Sequence, residues 1–506
     1  MDITKSICLI NPRLIFSSKD IFTTGIVYMP FLLAYLISHI KKLNLHVNLI
    51  DCFGSDPNKI EKKNGMLYRG LNTSDLDKKI KGSPDFFAIY AISLSSHDSL
   101  MEIIKFLNKN YPLSKIIILE NSQAVTSYSL RKISNIFYES GAHFIATGDL
   151  EISCFQLLQK LINNEQDSLK NVPGIGYLSK NNDNNFNNQI NKIEDLDILD
   201  FPSWDMFPLK NYWSLNYSHG PLETKKYLPL LTSRGCPYPC KFCVIVDTNN
   251  RKWRKRSPQN VIDEMNYLYE KFGVYEYHIE DVDMTINDRR TKEFCTLLIN
   301  NKYKFIWKIC AGTKIESIKD AETVKLMAQS GCNYISVSPE TGSKELLKKI
   351  DKPFDLEKLI YLSKEMVKNK IFTQACFILG FPGETDSDLH ETQKLIKKLS
   401  KIGIDEIAIF IISPVPGSEI FNEFTGYSSL SELNFSPTWR KDYKFLNQKR
   451  LKFYLIFLLN KTLSHPIKIF KQAIRFLTHN FKTKMEMTPY RAIHTLVLIF
   501  KYKLRK

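Results

Sequence analysis

At 506 residues, with 43% apolar and 24% charged side chains, the chain has material for two or three packed domains, and global disorder is excluded. The formal net charge of +17 is concentrated at one end, because Arg440 to Lys506 contains 17 Lys and Arg against Asp442 and Glu486. No signal-like leader follows Met1, and the apolar runs fall short of the roughly 20 residues of a membrane-spanning helix, so we expect a cytoplasmic protein.

The first part of the chain alternates short apolar runs with helix-period segments, the pattern of a parallel sheet covered by helices. Predicted strands lie at 7–11, 47–50, 86–93, 116–119 and 143–147. Predicted helices lie at 30–42, 97–108, 127–138 and 151–161. We therefore predict an α/β, doubly wound (Rossmann-like) domain over residues 1–180, whose ligands would bind beyond the carboxyl ends of the strands.

A polar segment of low complexity at 181–191 predicts a loop, within a linker over 181–225. Six strand-helix units follow within residues 226–425, with strands predicted at 228–232, 275–280, 305–311, 334–338, 372–379 and 406–412. Helices with the 3.6-residue period are predicted at 261–272, 321–329, 356–368 and 387–401. Consecutive parallel units of this kind form a partial (β/α)6 barrel with its active site at the carboxyl ends of the strands.

Residues 426–506 lack a strand pattern and are predicted as basic helices, with aromatic residues interleaved between the lysines. Three interpretations fit this composition. We favour a helical lid whose apolar face covers the barrel mouth. The alternatives are helices that lie on an anionic membrane surface and helices that grip the phosphates of RNA.

Three of the ten cysteines cluster as C-x3-C-x2-C after the first barrel strand, at Cys236, Cys240 and Cys243. Three thiolates on one short loop can bind three irons of a four-iron cluster and leave the fourth iron open. Two other interpretations are a structural zinc site completed by a distant histidine such as His278, and a four-cysteine electron-transfer cluster. Zinc sites usually pair their cysteines as C-x2-C twice, which disfavours the first of these.

This triad resembles the signature of the radical S-adenosylmethionine (SAM) superfamily. The resemblance implies a [4Fe-4S] cluster whose open iron binds the amino and carboxylate groups of SAM, and a 5′-deoxyadenosyl radical that abstracts a hydrogen atom from the substrate. It assigns Cys236, Cys240 and Cys243 to the cluster. Phe242, which precedes the last cysteine, is a candidate cofactor-binding residue.

Four further segments at predicted strand ends resemble elements of the same family. The resemblance places Glu280 and Asp281 near the methionyl ammonium of SAM. It places Ser338 and Glu340, in a segment similar to G-I-E-S-G-S, near its ribose and methionyl part. Gly380, in L-G-F-P-G-E-T, and Pro414, in S-P-V-P-G-S, correspond to the adenine side. Each segment alone also fits an acidic turn or a helix cap, and Lys314 stands where many relatives have arginine.

The barrel behind a doubly wound front domain resembles the cobalamin-binding subgroup of the superfamily. Matching segments are 30–36, 49–51, 148–151 and 172–175. Two departures bear on cobalamin. No D-x-H-x-x-G motif supplies a histidine to cobalt, and Glu120-Asn121 replaces the usual glycine pair after the fourth strand, where glycine allows close approach to a bulky ring.

The resemblance therefore implies a radical SAM enzyme with cobalamin as a third cofactor, which methylates or rearranges an unactivated carbon of a lipid, tetrapyrrole or secondary metabolite. Expected partners are a small or lipid-like substrate and a reductant such as flavodoxin or ferredoxin, with peripheral membrane contact through the basic end and nucleic acid disfavoured. The alternatives are a tRNA-modifying, methylthiotransferase-like enzyme and a non-catalytic cluster-binding protein. The first normally carries a second cysteine triad, and Cys8, Cys52 and Cys154 are far apart in sequence.

Overall fold

A computed structural model describes residues 5–179, 184–187, 192–352 and 354–504. The predicted doubly wound front domain is confirmed. Its central sheet has seven strands in the order β10-β9-β8-β7-β6-β1-β3, and the five strands β1, β3, β6, β7 and β8 are parallel. The strands are β1 (Ser6–Asn11), β3 (His46–Asp51), β6 (Phe86–Ala91), β7 (Lys115–Glu120), β8 (Phe144–Ala146), β9 (Ile175–Leu178) and β10 (Asn184–Phe186).

Six helices cover this sheet: α1 (Phe31–Ile40), α2 (Cys52–Ser55), α3 (Thr73–Lys79), α4 (His97–Asn110), α5 (Ser134–Glu139) and α6 (Leu150–Ile162). A small antiparallel sheet that the sequence pattern did not predict adjoins them, with strands β2 (Leu14–Ser17), β4 (Ile60–Lys63) and β5 (Met66–Arg69) in the order β2-β5-β4. These strands are four residues each, too short for their alternation to be recognised in the sequence.

The predicted loop at 181–191 contains a strand. Within it the structure describes residues 184–187, where β10 pairs antiparallel with β9 at the edge of the central sheet. The remaining residues of the predicted loop lie outside the described part of the chain. The asparagine-rich composition favoured a loop, but backbone pairing with β9 uses no side chain and so is insensitive to that composition.

The predicted partial barrel is also confirmed. Its six strands are all parallel and lie in sequence order. They are β11 (Tyr227–Leu230), β14 (Glu276–Ile279), β15 (Ile306–Thr313), β16 (Cys332–Glu340), β17 (Phe372–Leu379) and β18 (Glu406–Ile411). A short hairpin of β12 (Ser233–Arg234) and β13 (Arg254–Lys255) brackets the cysteine loop.

The connector contains α7 (Leu209–Ser214), and the barrel helices are α8 (Ile245–Asn249), α9 (Pro258–Phe272), α10 (Asp288–Asn300), α11 (Ala321–Gln329), α12 (Lys344–Lys349), α13 (Leu356–Lys368) and α14 (Asp386–Ile402). Local sequence defines several of their starts. Ser343 caps α12, and Thr385 with Asp388 forms a capping box on α14. The family-like segments at 338–343 and 380–385 therefore also begin helices.

The front domain and the barrel share one contiguous apolar core, which runs from strands such as β1 through the connector to the barrel strands. Buried ion pairs connect the front domain to the barrel. Arg234 binds Glu151 in a bidentate pair at 2.7 and 2.9 Å and reaches Asp149 at 3.0 Å, and Arg254 also binds Asp149. Burial raises the pKa of Asp149, but the two arginines outweigh it and the net pKa is lowered. Removing one partner of such a network leaves an uncompensated buried charge.

Three basic helices follow the barrel: α15 (Tyr443–Ser464), α16 (Pro466–Leu477) and α17 (Lys484–Leu504). They do not form the predicted lid over the barrel mouth. Helix α15 runs along the free edge of β18. Arg440, three residues before the helix, donates to Ile412 O at 2.9 Å, and Lys461, near its end, donates to Asp405 O. Tyr454 Oη accepts the Ile409 backbone N–H at 3.0 Å. The helix thus covers an open sheet edge, which would otherwise expose unpaired backbone groups.

Candidate active site at the cysteine loop

The cysteine loop joins β12 to α8 at the carboxyl end of the first barrel strand. Cys240 is buried, Cys236 and Cys243 are half-buried, and none of the three forms a disulfide. Gly235 opens the loop with φ +81°, and any side chain there would collide with the Lys252 carbonyl oxygen. This backbone conformation favours glycine, so the bend that begins the triad depends on Gly235.

Burial raises the pKa of all three thiols, that of Cys236 to about 12. A thiolate in this loop therefore needs a compensating cation, which bound iron supplies. Among the described residues no three His, Cys, Asp or Glu side chains converge to hold a single metal ion. His278, the residue considered for zinc, instead bonds Glu276 at 3.1 Å and lies 3.4 Å from Ser218. The zinc interpretation gains no support from this geometry.

Two lysines, Lys314 after β15 and Lys352 after α12, bring positive charge to the thiols. Lys352 pairs with Glu340 and lies 5.8 Å from the Phe242 ring centroid, and Lys314 lies 3.9 Å from that of Tyr238. Both ammonium groups lower the pKa of Cys240, against the larger effect of burial. The loop is thus suited to bind an anionic group. A cluster held by three thiolates would be anionic, and so would the carboxylate of SAM. No motif identifies Lys352, because only the fold brings it to the loop.

Of the two acids after β14, Asp281 holds the loop in place. Its carboxylate accepts the Thr232 N–H at 2.7 Å and the hydroxyls of Thr232 and Ser233 at 2.6 Å each. These bonds fix the chain just before Cys236. Asp283, which the sequence analysis did not select, does the same for the Lys314 segment by accepting from Thr313 at 2.7 Å and Ser317 at 3.0 Å.

Glu280 belongs to a different cluster. Its carboxylate is 2.8 Å from His219 Nδ1, and the His219 ring lies 4.6 Å from that of Tyr28, which comes from the front domain. Burial lowers the pKa of His219 and the neighbouring Glu280 opposes it, with a net lowering. The three residues come from three separate parts of the chain and line a small cavity with Met29 and Tyr227. No motif identifies His219 or Tyr28.

The other predicted residues lie around the barrel rim. Glu340 is buried with φ +62°, and Ser338 packs where a side chain at Gly312 would collide with its hydroxyl. Gly380 has φ +85°, donates its N–H to Glu384 at 2.5 Å and accepts from Arg440 at 3.0 Å.

Two polar atoms on this rim have no hydrogen-bond partner among the described residues. They are the buried Ser413 hydroxyl, beside Pro414, and one oxygen of Glu384. Buried polar atoms of this kind require a partner, and the polar edges of SAM would supply one.

The cysteine loop also contacts the strand ends of the front domain. The Gly235 N–H donates to Gln123 Oε1 at 2.8 Å, and Asn249 Nδ2 donates to the Ser122 carbonyl at 2.6 Å. Ser129 N–H donates to the Pro416 carbonyl at 2.8 Å. The carboxyl ends of the front sheet and of the barrel therefore face each other, and a ligand of the front domain would lie next to the cysteine loop.

The pair that replaces glycines in the front domain is satisfied internally. Glu120 accepts the N–H groups of Leu130 at 3.0 Å and Gly148 at 3.3 Å, and burial raises its pKa to about 7. Asn121 Nδ2 donates to the Ile92 carbonyl at 2.8 Å. Both side chains therefore bond the backbone of their own domain, and the substitution leaves no unsatisfied carboxylate toward the barrel.

Comparison with known proteins shows similarity to radical SAM enzymes. Residues 230–411 match the model of the radical SAM superfamily. An uncharacterized methyltransferase of Pyrococcus horikoshii is 25% identical over 447 residues, which cover 87% of this chain and 86% of that protein.

Two solved structures share the fold. The cobalamin-dependent SAM radical enzyme OxsB, with aqua-cobalamin bound, aligns with a TM-score of 0.62 at 18% identity over 88% of this chain, which spans 56% of that longer protein. The radical SAM methyltransferase TsrM of Kitasatospora setae, with cobalamin and a [4Fe-4S] cluster bound, aligns at 0.61 and 15% identity over 83% of this chain and 78% of that one. The chain is thus an enzyme that contains a radical SAM domain at residues 230–411 and shares the fold of two radical SAM enzymes solved with cobalamin bound.

Proposed function

We propose that this enzyme uses a [4Fe-4S] cluster on Cys236, Cys240 and Cys243, together with SAM and cobalamin, to methylate or rearrange an unactivated carbon of a small or lipid-like substrate. The observation that carries the proposal is the contact of the cysteine loop with the strand ends of the front domain, through the Gly235 to Gln123 and Asn249 to Ser122 hydrogen bonds. A cofactor in the front domain would thus be adjacent to SAM in the barrel.

When bound, the cluster supplies the electron that cleaves SAM, and cobalamin supplies a carrier for a methyl group. The residues of the chain have other tasks. Asp281 and Gly235 shape the loop, and Lys352 and Lys314 provide the positive charge that the thiolates and the SAM carboxylate need. The buried Ser413 hydroxyl and the free Glu384 oxygen are suited to hydrogen bonds with the adenine side of SAM.

The Tyr28, His219 and Glu280 cluster lies on the side of the barrel where the front domain and the connector meet. We propose this side for the substrate, because residues of both domains line it. The electron donor would be a flavodoxin or a ferredoxin, since a superfamily member needs an external reductant.

Anoxic reconstitution tests the proposal directly. The purified chain is loaded with iron, sulfide and hydroxocobalamin, desalted, and analysed for iron, sulfide and visible absorption. We expect about four irons per chain and a corrinoid spectrum that survives desalting. Cys240→Ala should lose the cluster, whereas Cys295→Ala, a buried cysteine on α10, should retain it.

Reduction in the presence of SAM then separates the reaction types. Methylation through cobalamin predicts S-adenosylhomocysteine together with 5′-deoxyadenosine, and omission of the corrinoid should abolish only the former. A rearrangement predicts 5′-deoxyadenosine alone. Loss of all corrinoid on desalting would remove cobalamin from the proposal, and absence of any SAM cleavage by the loaded enzyme would support the non-catalytic alternative.

A further inference from the structure

Helix α15 has an apolar row on the side away from the barrel. Leu451, Leu455, Leu459 and Leu463 are spaced four residues apart and are 54–83% exposed. Residues four apart lie on one face of a helix, so the four leucines form a stripe. The opposite face already packs on the fold through Phe453 and Phe457, which are buried. The exposed stripe is therefore not needed to attach the helix.

The next two helices repeat this feature. The exposed apolar residues of α16 are Ile467, Phe470, Ile474 and Leu477, and those of α17 are Ile493, Leu496, Val497, Phe500 and Leu504. Each set follows the three- and four-residue spacing of one helix face. Only His465 separates α15 from α16, so Leu463 at the end of the stripe and Ile467 at the start of the α16 row are close along the chain. Rows of this extent are unusual on the surface of a monomeric protein and mark an interaction site.

The charge of the same helices identifies the partner. Between Tyr443 and Leu504 there are 13 Lys and Arg and one acid, Glu486, which is buried. Several of these cations face the fold, where Arg450 pairs with Asp20 and Lys482 with Glu223. The exposed ones are Lys444, Lys452, Lys471, Lys501 and Lys503. Lys452 and Lys471 are exposed on the helices that carry the leucine stripe and the α16 row. A surface that combines exposed Leu, Ile and Phe with lysines matches a bilayer with anionic headgroups, where apolar side chains enter the acyl boundary and lysines remain at the phosphates.

Two other occupants fit this surface less well. A second copy of the chain would bring an equally basic surface against it, and like charges repel. RNA would use the lysines but gives no reason for exposed leucines, since its affinity for proteins comes from phosphate contacts and base stacking. No helix in the described part of the chain has the length and apolarity to span a membrane.

We propose that the exposed faces of α15, α16 and α17 hold the enzyme reversibly on an anionic lipid surface. The binding is interfacial: the apolar rows enter the headgroup boundary, and Lys452, Lys471 and their neighbours pair with lipid phosphates. Helix α15 lies on the flank of the barrel beside β18, and α17 packs through Leu498 on the small sheet of the front domain, so these helices are attached away from the cysteine loop. The proposal therefore does not depend on the cofactors or on the reaction.

Vesicle flotation of the full chain tests it, with no SAM, reductant or corrinoid present. Vesicles are made of phosphatidylcholine alone or with about one third phosphatidylglycerol. We expect binding to the anionic vesicles, weaker binding to phosphatidylcholine alone, and partial release at high salt because the Debye length shortens.

A triple variant, Leu451→Ser with Leu455→Ser and Leu459→Ser, should reduce partitioning by about tenfold or more while circular dichroism and Tm stay unchanged. The matched control is Leu113→Ser in the front domain, a residue 94% exposed, which should bind as the parent does. Lys452→Gln with Lys471→Gln should weaken binding by about fivefold per lysine. Its control is Lys105→Gln with Lys109→Gln, two exposed lysines of α4.

Four results would overturn the proposal. They are absence of binding to anionic vesicles, equal losses in the stripe variant and its control, retention on immobilised RNA without vesicle binding, and a stable dimer by light scattering that the stripe variant dissociates. The last would assign the surface to a second copy. Since vesicle binding and SAM cleavage are measured separately, failure of one leaves the other unaffected.

Discussion

The barrel carries buried charge at both ends of its strands, but in two different arrangements. Near the amino ends, Glu276 on β14 bonds Lys308 at 2.8 Å and His278 at 3.1 Å, and also accepts the Thr224 N–H at 2.7 Å. Burial raises the pKa of Glu276, but Lys308 and His278 outweigh this and the pKa is lowered. Every charge in this network has an internal partner.

At the carboxyl ends, several buried polar groups lack such an internal partner. The thiols of the cysteine loop have raised pKa values, and one oxygen each of Ser413 and Glu384 has no hydrogen bond among the described residues. Buried charge by itself therefore does not identify a functional site. Atoms without a partner also occur near the amino ends, as at Asn333 Oδ1, so what distinguishes the carboxyl end is that such atoms lie on the same rim as three unpaired thiols.

The largest expected effect tests the satisfied network. Lys308→Met should lower the free energy of unfolding by about 3–5 kcal/mol, because Glu276 would remain buried without its cation. Chemical denaturation of the cofactor-free chain measures this. Cluster content per folded molecule should stay unchanged. If this variant lost the cluster while remaining stable, the amino-end network would be part of the active site. The distinction between a structural amino end and a functional carboxyl end would then be wrong.

Asp281 tests whether an acid at the carboxyl end acts as a ligand or as a support. Asp281→Ala should cost about 2–3 kcal/mol of stability, since three hydrogen bonds to a buried carboxylate are lost. It should also raise the fraction of chains with an incomplete cluster. Asp281→Asn retains part of the hydrogen bonding and should recover part of both. Normal stability with abolished SAM binding would instead make Asp281 a direct SAM ligand.

For Lys314 we expect the opposite pattern, in which substitution affects SAM affinity more than it affects the free energy of unfolding. Its Nζ contacts the Tyr238 ring and lies 3.9 Å from Glu316. Lys314→Gln should raise the KM for SAM by about tenfold, with less than about 1 kcal/mol of destabilisation. Lys314→Arg should restore most of the affinity. Unchanged KM in the glutamine variant would show that this lysine does not act on SAM.

The smallest effect concerns the strand ends of the front domain. His97 lies there with Nδ1 3.2 Å from Tyr128 Oη, and burial lowers its pKa to about 4. The unfolded chain, with a histidine pKa near 6.5, then binds more protons between these values, so stability falls as pH decreases through this window. We expect a loss of about 0.7 kcal/mol between pH 7 and 6, measured by denaturation at each pH. In His97→Phe this part of the pH dependence should disappear.

Much of the fold followed from local pattern. All eleven predicted parallel strands are present, because apolar runs between helix-period segments directly reflect burial in a covered sheet. The four-residue strands of the small sheet and the Asn184–Phe186 strand escaped detection, because their formation depends on backbone pairing with distant partners. The described part of the chain does not show the predicted lid, for a similar reason. No local signal in the sequence shows that β18 has a free edge that α15 can cover.

The sequence by itself determined the cysteine triad, Gly235, and the order of the rim segments, because their chemistry depends on residues a few positions apart. Only the tertiary structure brought Lys352 to the thiols, joined Tyr28, His219 and Glu280 into one cluster, and gave Asp281 its supporting role. These contacts join residues 49 to more than 100 positions apart, with Lys352 reaching the loop across three strands. Residues so far apart in sequence meet only when the whole core packs, and no short segment of sequence encodes that packing.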